Sequence, residues 1–119
     1  MIRFYGYSGC STCKTALKWL KARGIPHEER AIRETPPTLA ELKATLAAHG
    51  GDLRPLFNTS GQDYRALGLK DKLPQMSAEE ALKLLASNGN LVKRPFLVDA
   101  ARGLYLTGFK DEVWERAIS

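Results

Sequence analysis

Cys10-Ser11-Thr12-Cys13-Lys14 is the stretch on which the fold of this chain turns. It holds both cysteines of the protein, in C-x-x-C spacing. An apolar run precedes it (Ile2, Phe4 and Tyr5, interrupted by Gly6 and Gly9), and a helical apolar pattern follows in Ala16, Leu17, Trp19 and Leu20. A strand, a tight loop and a helix start that carry a cysteine pair form a redox arrangement. The thiolate is the reactive form of cysteine, and a free thiol has a pKa of ~8.5. Cys10 falls at the expected helix N-terminus, where the unpaired N–H groups of Thr12 and Cys13 can point at its sulfur. The helix dipole adds partial positive charge there, and Lys14 adds a full one. Cys13 lies one turn in, close enough to attack a mixed disulfide formed at Cys10. Cys10 is therefore the expected nucleophile and Cys13 the expected resolving thiol.

Two other readings of the pair stay open on sequence. A zinc site needs about four ligands, and only His27 and His49 are available to join the cysteines, neither at zinc-finger spacing. The other alternative is two incidental thiols at a helix start. The histidines read as surface residues; Trp19, Trp114 and Phe96 read as core. Tyr7, beside the loop, either flanks the cysteines or packs, and packing is the simpler expectation.

Working outward, residues 2–6 read as a buried strand and residues 7–10 as a loop. A helix from Ser11 to Arg23 should end at Gly24, with Pro26 beyond it. His27 to Ile32 reads as a second, polar strand, and the strand–helix–strand order implies parallel pairing. Residues 33–37 form a charged, proline-bearing connector. Thr38-Leu39-Ala40-Glu41 is a capping box that opens a helix with Leu39, Leu42 and Leu46 on one face. Gly50 and Gly51 stop it. Residues 52–75 are less regular, with a turn at Asn58-Thr59-Ser60-Gly61 and a short helix over Gln62 to Leu67. Ser77-Ala78-Glu79-Glu80 is a second capping box, and its helix should run to Ala86 with Leu82 and Leu85 inward. Phe96 to Val98 and Leu104 to Thr107 read as strands joined by a hairpin turn over Asp99 to Gly103. A last helix over Asp111 to Ala117 offers Val113 and Trp114 to the core. The expected class is α/β: a thioredoxin-like, glutaredoxin-type core with a helical insertion, about residues 36–90, between the strand–helix–strand half and the hairpin–helix half.

At 119 residues, residues 1–119 are expected to form one domain with a real core. A hydrophobic fraction of 44% beside 26% charged residues is ordinary for a soluble globular chain. No apolar run approaches the ~20 residues that span a bilayer. Met1 leads directly into a strand-like segment, with no basic-then-apolar leader, so the expected location is cytoplasmic and no membrane partner is expected. In that compartment a C-x-x-C pair is catalytic, sensing or metal-binding more often than a permanent crosslink. The net charge of +5 comes from cations spread along the chain and not interleaved with aromatics, which argues against direct nucleic-acid binding. Nothing in the sequence calls for an obligate dimer, so a monomer is expected.

Pro95 is the second element of the expected site. A thioredoxin-like fold usually sets a cis-proline against its cysteines, and only an X-Pro bond becomes cis at modest cost. Arg94, just before it, can bring a guanidinium to a thiolate or an oxyanion. The simpler alternatives are a strand-entry proline and a surface arginine.

Three stretches together resemble the ArsC/Spx family: Phe4-Tyr5-Gly6 with Cys10-Ser11-Thr12-Cys13-Lys14-Thr15-Ala16, Leu56-Phe57-Asn58-Thr59-Ser60-Gly61, and Leu91-Val92-Lys93-Arg94-Pro95-Phe96-Leu97-Val98. The resemblance spans essentially the whole chain. It implies a thioredoxin-like fold with a helical insertion. One branch implied is the glutaredoxin-dependent arsenate reductases and their relatives. Those enzymes use one cysteine, matched by Cys10, and three arginines, of which only Arg94 is matched. Asn58 and Gly108, with Lys110 nearby, stand where the other two are expected. Arsenate is a dianion that needs several charge-assisted bonds, so this departure argues against it as substrate. The function implied is an arsenate-reductase-like thiol–disulfide reductase acting on a small oxyanion or a disulfide. No bound cofactor is implied, and glutathione, glutaredoxin or thioredoxin would donate the electrons. The other branch implied is the Spx redox regulators, which share the C-x-x-C form and bind the C-terminal domain of the RNA polymerase α subunit. Gly51 is the nearest match to the glycine involved in that contact.

Overall fold

The computed structural model describes residues 1–118. Strand β1 (Ile2–Gly6) leads through the cysteine loop into helix α1 (Ser11–Ala22) and strand β2 (His27–Ala31). β1 and β2 pair in parallel, Ile2 opposite His27 through to Gly6 opposite Ala31. The chain returns to the sheet in β3 (Phe96–Asp99), antiparallel to β1 with Phe4 opposite Leu97. β4 (Leu104–Thr107) is antiparallel to β3, so the sheet order is β2-β1-β3-β4. Helix α6 (Asp111–Ile118) closes the described chain. This is the thioredoxin-like α/β arrangement read from the sequence.

The local signals explain where the elements start and stop. α1 ends in a Schellman turn: Gly24 takes φ 64°, and the N–H groups of Gly24 and Ile25 donate to the carbonyls of Lys21 and Leu20. Between β2 and β3 lie α2 (Leu39–Ala48), α3 (Gln62–Ala66), α4 (Leu69–Lys72) and α5 (Ala78–Ser87). Both capping boxes form, at Thr38 with Glu41 and at Ser77 with Glu80. The irregular stretch is more helical than its sequence reads. Single 3₁₀ turns occupy Arg54–Leu56 and Leu73–Gln75, and α4 follows Gly68 in the left-handed region. Segments this short, three or four residues, carry too little periodicity to be recognised alone. The expected hairpin turn is a 3₁₀ turn, Ala100–Arg102, closed by Gly103 at φ 64°.

Alternation along the central strands gives the sheet two buried faces. Ile2 and Phe4 of β1, with Leu97 and Leu104, pack against Ala16, Trp19 and Leu20 of α1 and Trp114 of α6. Tyr5, Phe96 and Val98 face the other way and pack against Leu42, Leu56, Leu82, Leu85 and Leu91 of the insertion. The insertion is therefore the second layer of the core. Each fully buried large apolar side chain contributes about 1.5–3 kcal/mol, so neither face is dispensable. Val113, expected to face inward, is 40% exposed: α6 turns Trp114 into the core, with Ile118 packed partly against it, and the neighbouring Val113 points about 100° away around the helix. β2 is an edge strand, and its charged sequence, with Arg30 paired to Glu28, discourages further strand pairing.

A polar clamp ties the sheet to the insertion. Glu41, at the third position of α2, accepts from the Tyr5 hydroxyl at 2.6 Å, from Arg3 Nη1 at 3.0 Å and from the Thr38 N–H at 2.9 Å. Burial alone would raise the Glu41 pKa; the Tyr5, Thr38 and Arg3 contacts outweigh it and hold the carboxyl below its usual value. No helix among the described residues is long and apolar enough to cross a membrane.

Candidate active site

Strand directions bring three segments to one edge of the sheet. β1 and β2 are parallel, so their C-terminal ends lie side by side, and the Ile32 N–H donates to the Gly6 carbonyl at 2.9 Å. β3 is antiparallel and starts with Phe96 opposite Tyr5, which places its N-terminal end at the same edge. The cysteine loop, the residues after β2 and the Arg94-Pro95 segment converge there.

Cys10 is the N-cap of α1, with extended backbone (φ −92°, ψ 116°) and a partly exposed side chain. Its sulfur accepts the Cys13 N–H at 3.4 Å, so the thiol takes the place that a serine or aspartate oxygen takes at other helix starts. The Thr12 N–H, also expected to face the sulfur, makes no hydrogen bond to it, and the Thr12 side chain is exposed. Lys14 is exposed and lines a groove of about 600 Å³ together with Cys13, Tyr7, Leu17 and the end of β2. The loop is held from behind, where the Cys10 N–H donates to the Tyr7 carbonyl at 3.0 Å.

Cys13 is different in kind. It is 2% exposed and packs among Phe4, Ala16 and Leu97. Burial pushes its thiol pKa up to about 12, and the hydrogen bond and negative charge of Cys10 push the same way, against opposing pulls from the Tyr7 backbone and the Arg94 charge. Cys13 is therefore a protonated thiol at neutral pH, set beneath a more accessible sulfur. Gly6 makes room for the Phe4 ring packed in the same cluster: a Cβ there would lie 2.5 Å from that ring, and 3.4 Å from the Cys13 sulfur.

The Arg94-Pro95 peptide bond is cis, and Pro95 is buried. Its carbonyl accepts the Gly108 N–H at 2.8 Å. Arg94 turns toward the cysteine loop, with its Cζ 5.3 Å from the centroid of the Tyr7 ring and Nη1 buried without a hydrogen-bond partner. Arg33, two residues past β2, places its own Cζ 4.7 Å from the same centroid. Tyr7 is thus an exposed platform at the site and not a core residue, and the sequence reading missed Arg33 altogether. The available signal was positional: parallel strands must set the residues just after β1 and just after β2 next to each other.

Arg33, Arg94 and Tyr7 line a cavity of about 260 Å³ with Asn58, Gly61, Gln62, Asp63 and Asn90. Asn58 is held by its own turn and reaches the Asn90 carbonyl at 3.5 Å. Gly108 has φ 70°, a conformation that disfavours an arginine at this position, and Lys110 is exposed. The histidines stand apart from the cysteines. His27 sits in β2 opposite Ile2 and is largely covered, with Nδ1 2.8 Å from the Ile25 carbonyl. His49 caps α2, with Nδ1 2.8 Å from the Thr45 carbonyl.

A family model described as the ArsC family matches residues 5–117, and the chain belongs to that family. It is 46% identical over 114 residues to the uncharacterized protein YusI of Bacillus subtilis, covering 96% of this chain and 95% of YusI. It is 34% identical over 98 residues to the regulatory protein MgsR of the same organism, covering 82% and 76%. The global transcriptional regulator Spx of Enterococcus faecalis is 28% identical over 102 residues, covering 86% and 76%. Among solved structures, an ArsC family related protein from Bacteroides fragilis superposes with a TM-score of 0.89 at 45% identity, over 98% of this chain and 96% of the other. A protein described as a possible arsenate reductase from Streptococcus mutans superposes with a TM-score of 0.87 at 42% identity, over 97% and 98%. The relatives thus carry two kinds of name, transcriptional or regulatory protein on one side and possible arsenate reductase on the other.

Proposed function

We propose that this member of the ArsC family is a thiol–disulfide reductase in which Cys10 attacks and Cys13 resolves. The observation that carries the reading is the contrast within the pair: Cys10 is accessible and accepts a backbone N–H at 3.4 Å, whereas Cys13 is buried and held protonated. In the first step the Cys10 thiolate attacks one sulfur of a substrate disulfide. A Cys10–substrate disulfide forms, the substrate S–S bond breaks, and the other half leaves as a thiolate. In the second step Cys13 gives up its proton and its sulfur attacks the Cys10 sulfur. The Cys10–Cys13 disulfide forms and the second half of the substrate leaves as a thiol. The protein has then lost two electrons, which a thiol donor (glutathione, glutaredoxin or thioredoxin) returns. Arg94 supports charge at the site, and its charge favours the thiolate at Cys13 during resolution. Thr12 and Pro95 shape the loop, and Lys14 adds positive charge at the mouth of the groove. Arsenate fits poorly, because Asn58 and Gly108 leave Arg94 as the single match to the three-arginine pattern.

Steady-state turnover of a small disulfide with a glutathione or thioredoxin recycling system tests the reading. Turnover lost in Cys10→Ser supports it; wild-type turnover equal to that variant's background contradicts it.

The similarity to the regulatory protein MgsR and to the transcriptional regulator Spx supports a second reading, the one the Spx resemblance implies: a redox-switched regulator that binds the C-terminal domain of the RNA polymerase α subunit. Gly51, the residue matched to that contact, borders a separate cavity of about 500 Å³ with Leu53, Tyr64 and Met76. Affinity for that domain that changes on oxidation of Cys10 and Cys13 favours this reading; no binding in either redox state removes it.

A further inference from the structure

We propose that Tyr7, Arg33 and Arg94 form a recognition site for a carboxylate carried by the substrate disulfide, a proposal that rests on the reductase reading above. The guanidinium carbons of Arg33 and Arg94 lie 4.7 and 5.3 Å from the centroid of one Tyr7 ring. A ring face attracts a cation but does not neutralise it. No acidic side chain among the described residues lies within ion-pair distance of either arginine, and Arg94 Nη1 is buried with no partner. A buried guanidinium N–H without an acceptor is costly, and an anion in the cavity supplies one. Asp63 is the single carboxylate in the lining, and its Oδ2 is engaged by Asn88 Nδ2 at 3.0 Å.

The charge balance selects the class of anion. Two arginines and one aspartate leave the lining with one net positive charge, which a monoanion compensates and a dianion does not. The remaining polar groups, Asn58, Gln62 and Asn90, are neutral. Guanidinium groups match a carboxylate through paired N–H donors.

Tyr7 couples this cavity to the chemistry. Its carbonyl accepts the Cys10 N–H, and the residue borders both the arginine cavity and the groove that reaches Cys13. Gly9 permits the ring position, since a Cβ there would lie 2.6 Å from it. A carboxylate held between the arginines orients the attached disulfide toward Cys10. Arg33 is then a specificity-determining residue for which the three-arginine pattern has no counterpart.

The test compares second-order rates of oxidation of the reduced protein by 3,3′-dithiodipropionate and by bis(2-hydroxyethyl) disulfide, followed by mass spectrometry. The quantity read is the ratio of the two rates. Arg33→Gln should lower that ratio about tenfold, as expected for loss of one charge-assisted contact, and Arg33→Lys should fall between it and wild type. A ratio unchanged in Arg33→Gln overturns the proposal. Should wild type react with neither disulfide, the reductase reading fails, and binding alone judges the site. For that arm, NMR follows the Arg33 and Arg94 Nε–Hε signals of Cys10→Ser during titration with 3-(methylthio)propionate, its amide and sulfate. Saturable shifts with the carboxylate that neither the amide nor sulfate reproduces uphold the site. No shift, or an equal response to sulfate, overturns it.

Discussion

The Cys13 backbone N–H donates to the Cys10 sulfur at 3.4 Å, while the Cys13 thiol itself is buried and pushed up to about 12. One residue therefore supports the nucleophile through its main chain and keeps its own side chain in reserve. The division predicts selective alkylation. At pH 7, iodoacetamide should modify Cys10 roughly tenfold or more faster than Cys13, read by peptide mass spectrometry of the folded protein. Equal labelling of the two cysteines counts against the assignment.

The raised Cys13 pKa has a consequence for stability. A group whose folded pKa lies above its unfolded value, here about 12 against 9.0, stabilises the fold below the unfolded value. That contribution is lost as pH rises, because the unfolded chain releases its proton first. Tyr5, also raised to about 12, chiefly by burial, acts in the same direction. Denaturant midpoints should fall between pH 9 and pH 12. The slope should be shallower in Cys13→Ala, by up to about 1.4 kcal/mol per pH unit, with the Tyr5 share remaining.

Glu41 has the opposite sign. Its carboxyl is held below its usual value, so its stabilisation is present above the unfolded pKa and lost as pH falls through the folded one. Glu41→Gln should destabilise the protein by about 1–3 kcal/mol at neutral pH, because Tyr5 and Arg3 lose a charged acceptor. The acid limb of the stability curve should flatten in the same variant. Chemical denaturation from pH 3 to pH 7 checks both effects.

Gly89 marks a place where backbone meets backbone. A Cβ there would sit 1.8 Å from the Ile32 carbonyl oxygen, and neither segment can yield cheaply. Ile32 follows β2 and is fully buried against the insertion. Gly89→Ala should therefore cost roughly 3 kcal/mol or more, and shift Arg33, the next residue, along with the chain. Thermal unfolding of the variant measures the first effect; a midpoint within a degree or so of wild type contradicts it.

Much of the fold is legible in local signals. β1, α1 with its Gly24 stop, both capping boxes and the closing hairpin rest on patterns within a few residues of each element. The cysteine pair and the Arg94-Pro95 step are legible for the same reason, since each is a short motif beside a strand. What escapes is what depends on distant partners. α4 is held by packing and not by periodicity, and the rotation of α6 that buries Trp114 leaves Val113 40% exposed. Tyr7 and Arg33 look like a packing aromatic and a connector cation until parallel pairing of β1 and β2 sets them side by side.

The most direct test of the central claim is a single turnover. Reduced protein is mixed with excess small disulfide, and the thiol released per chain is counted while mass spectrometry follows the protein. Wild type should release two thiols and end with a Cys10–Cys13 disulfide. Cys13→Ser should release one and retain an adduct on Cys10, and Cys10→Ser should release essentially none on the same time scale. One thiol from wild type with a persistent adduct, or an adduct on Cys13, would contradict the account.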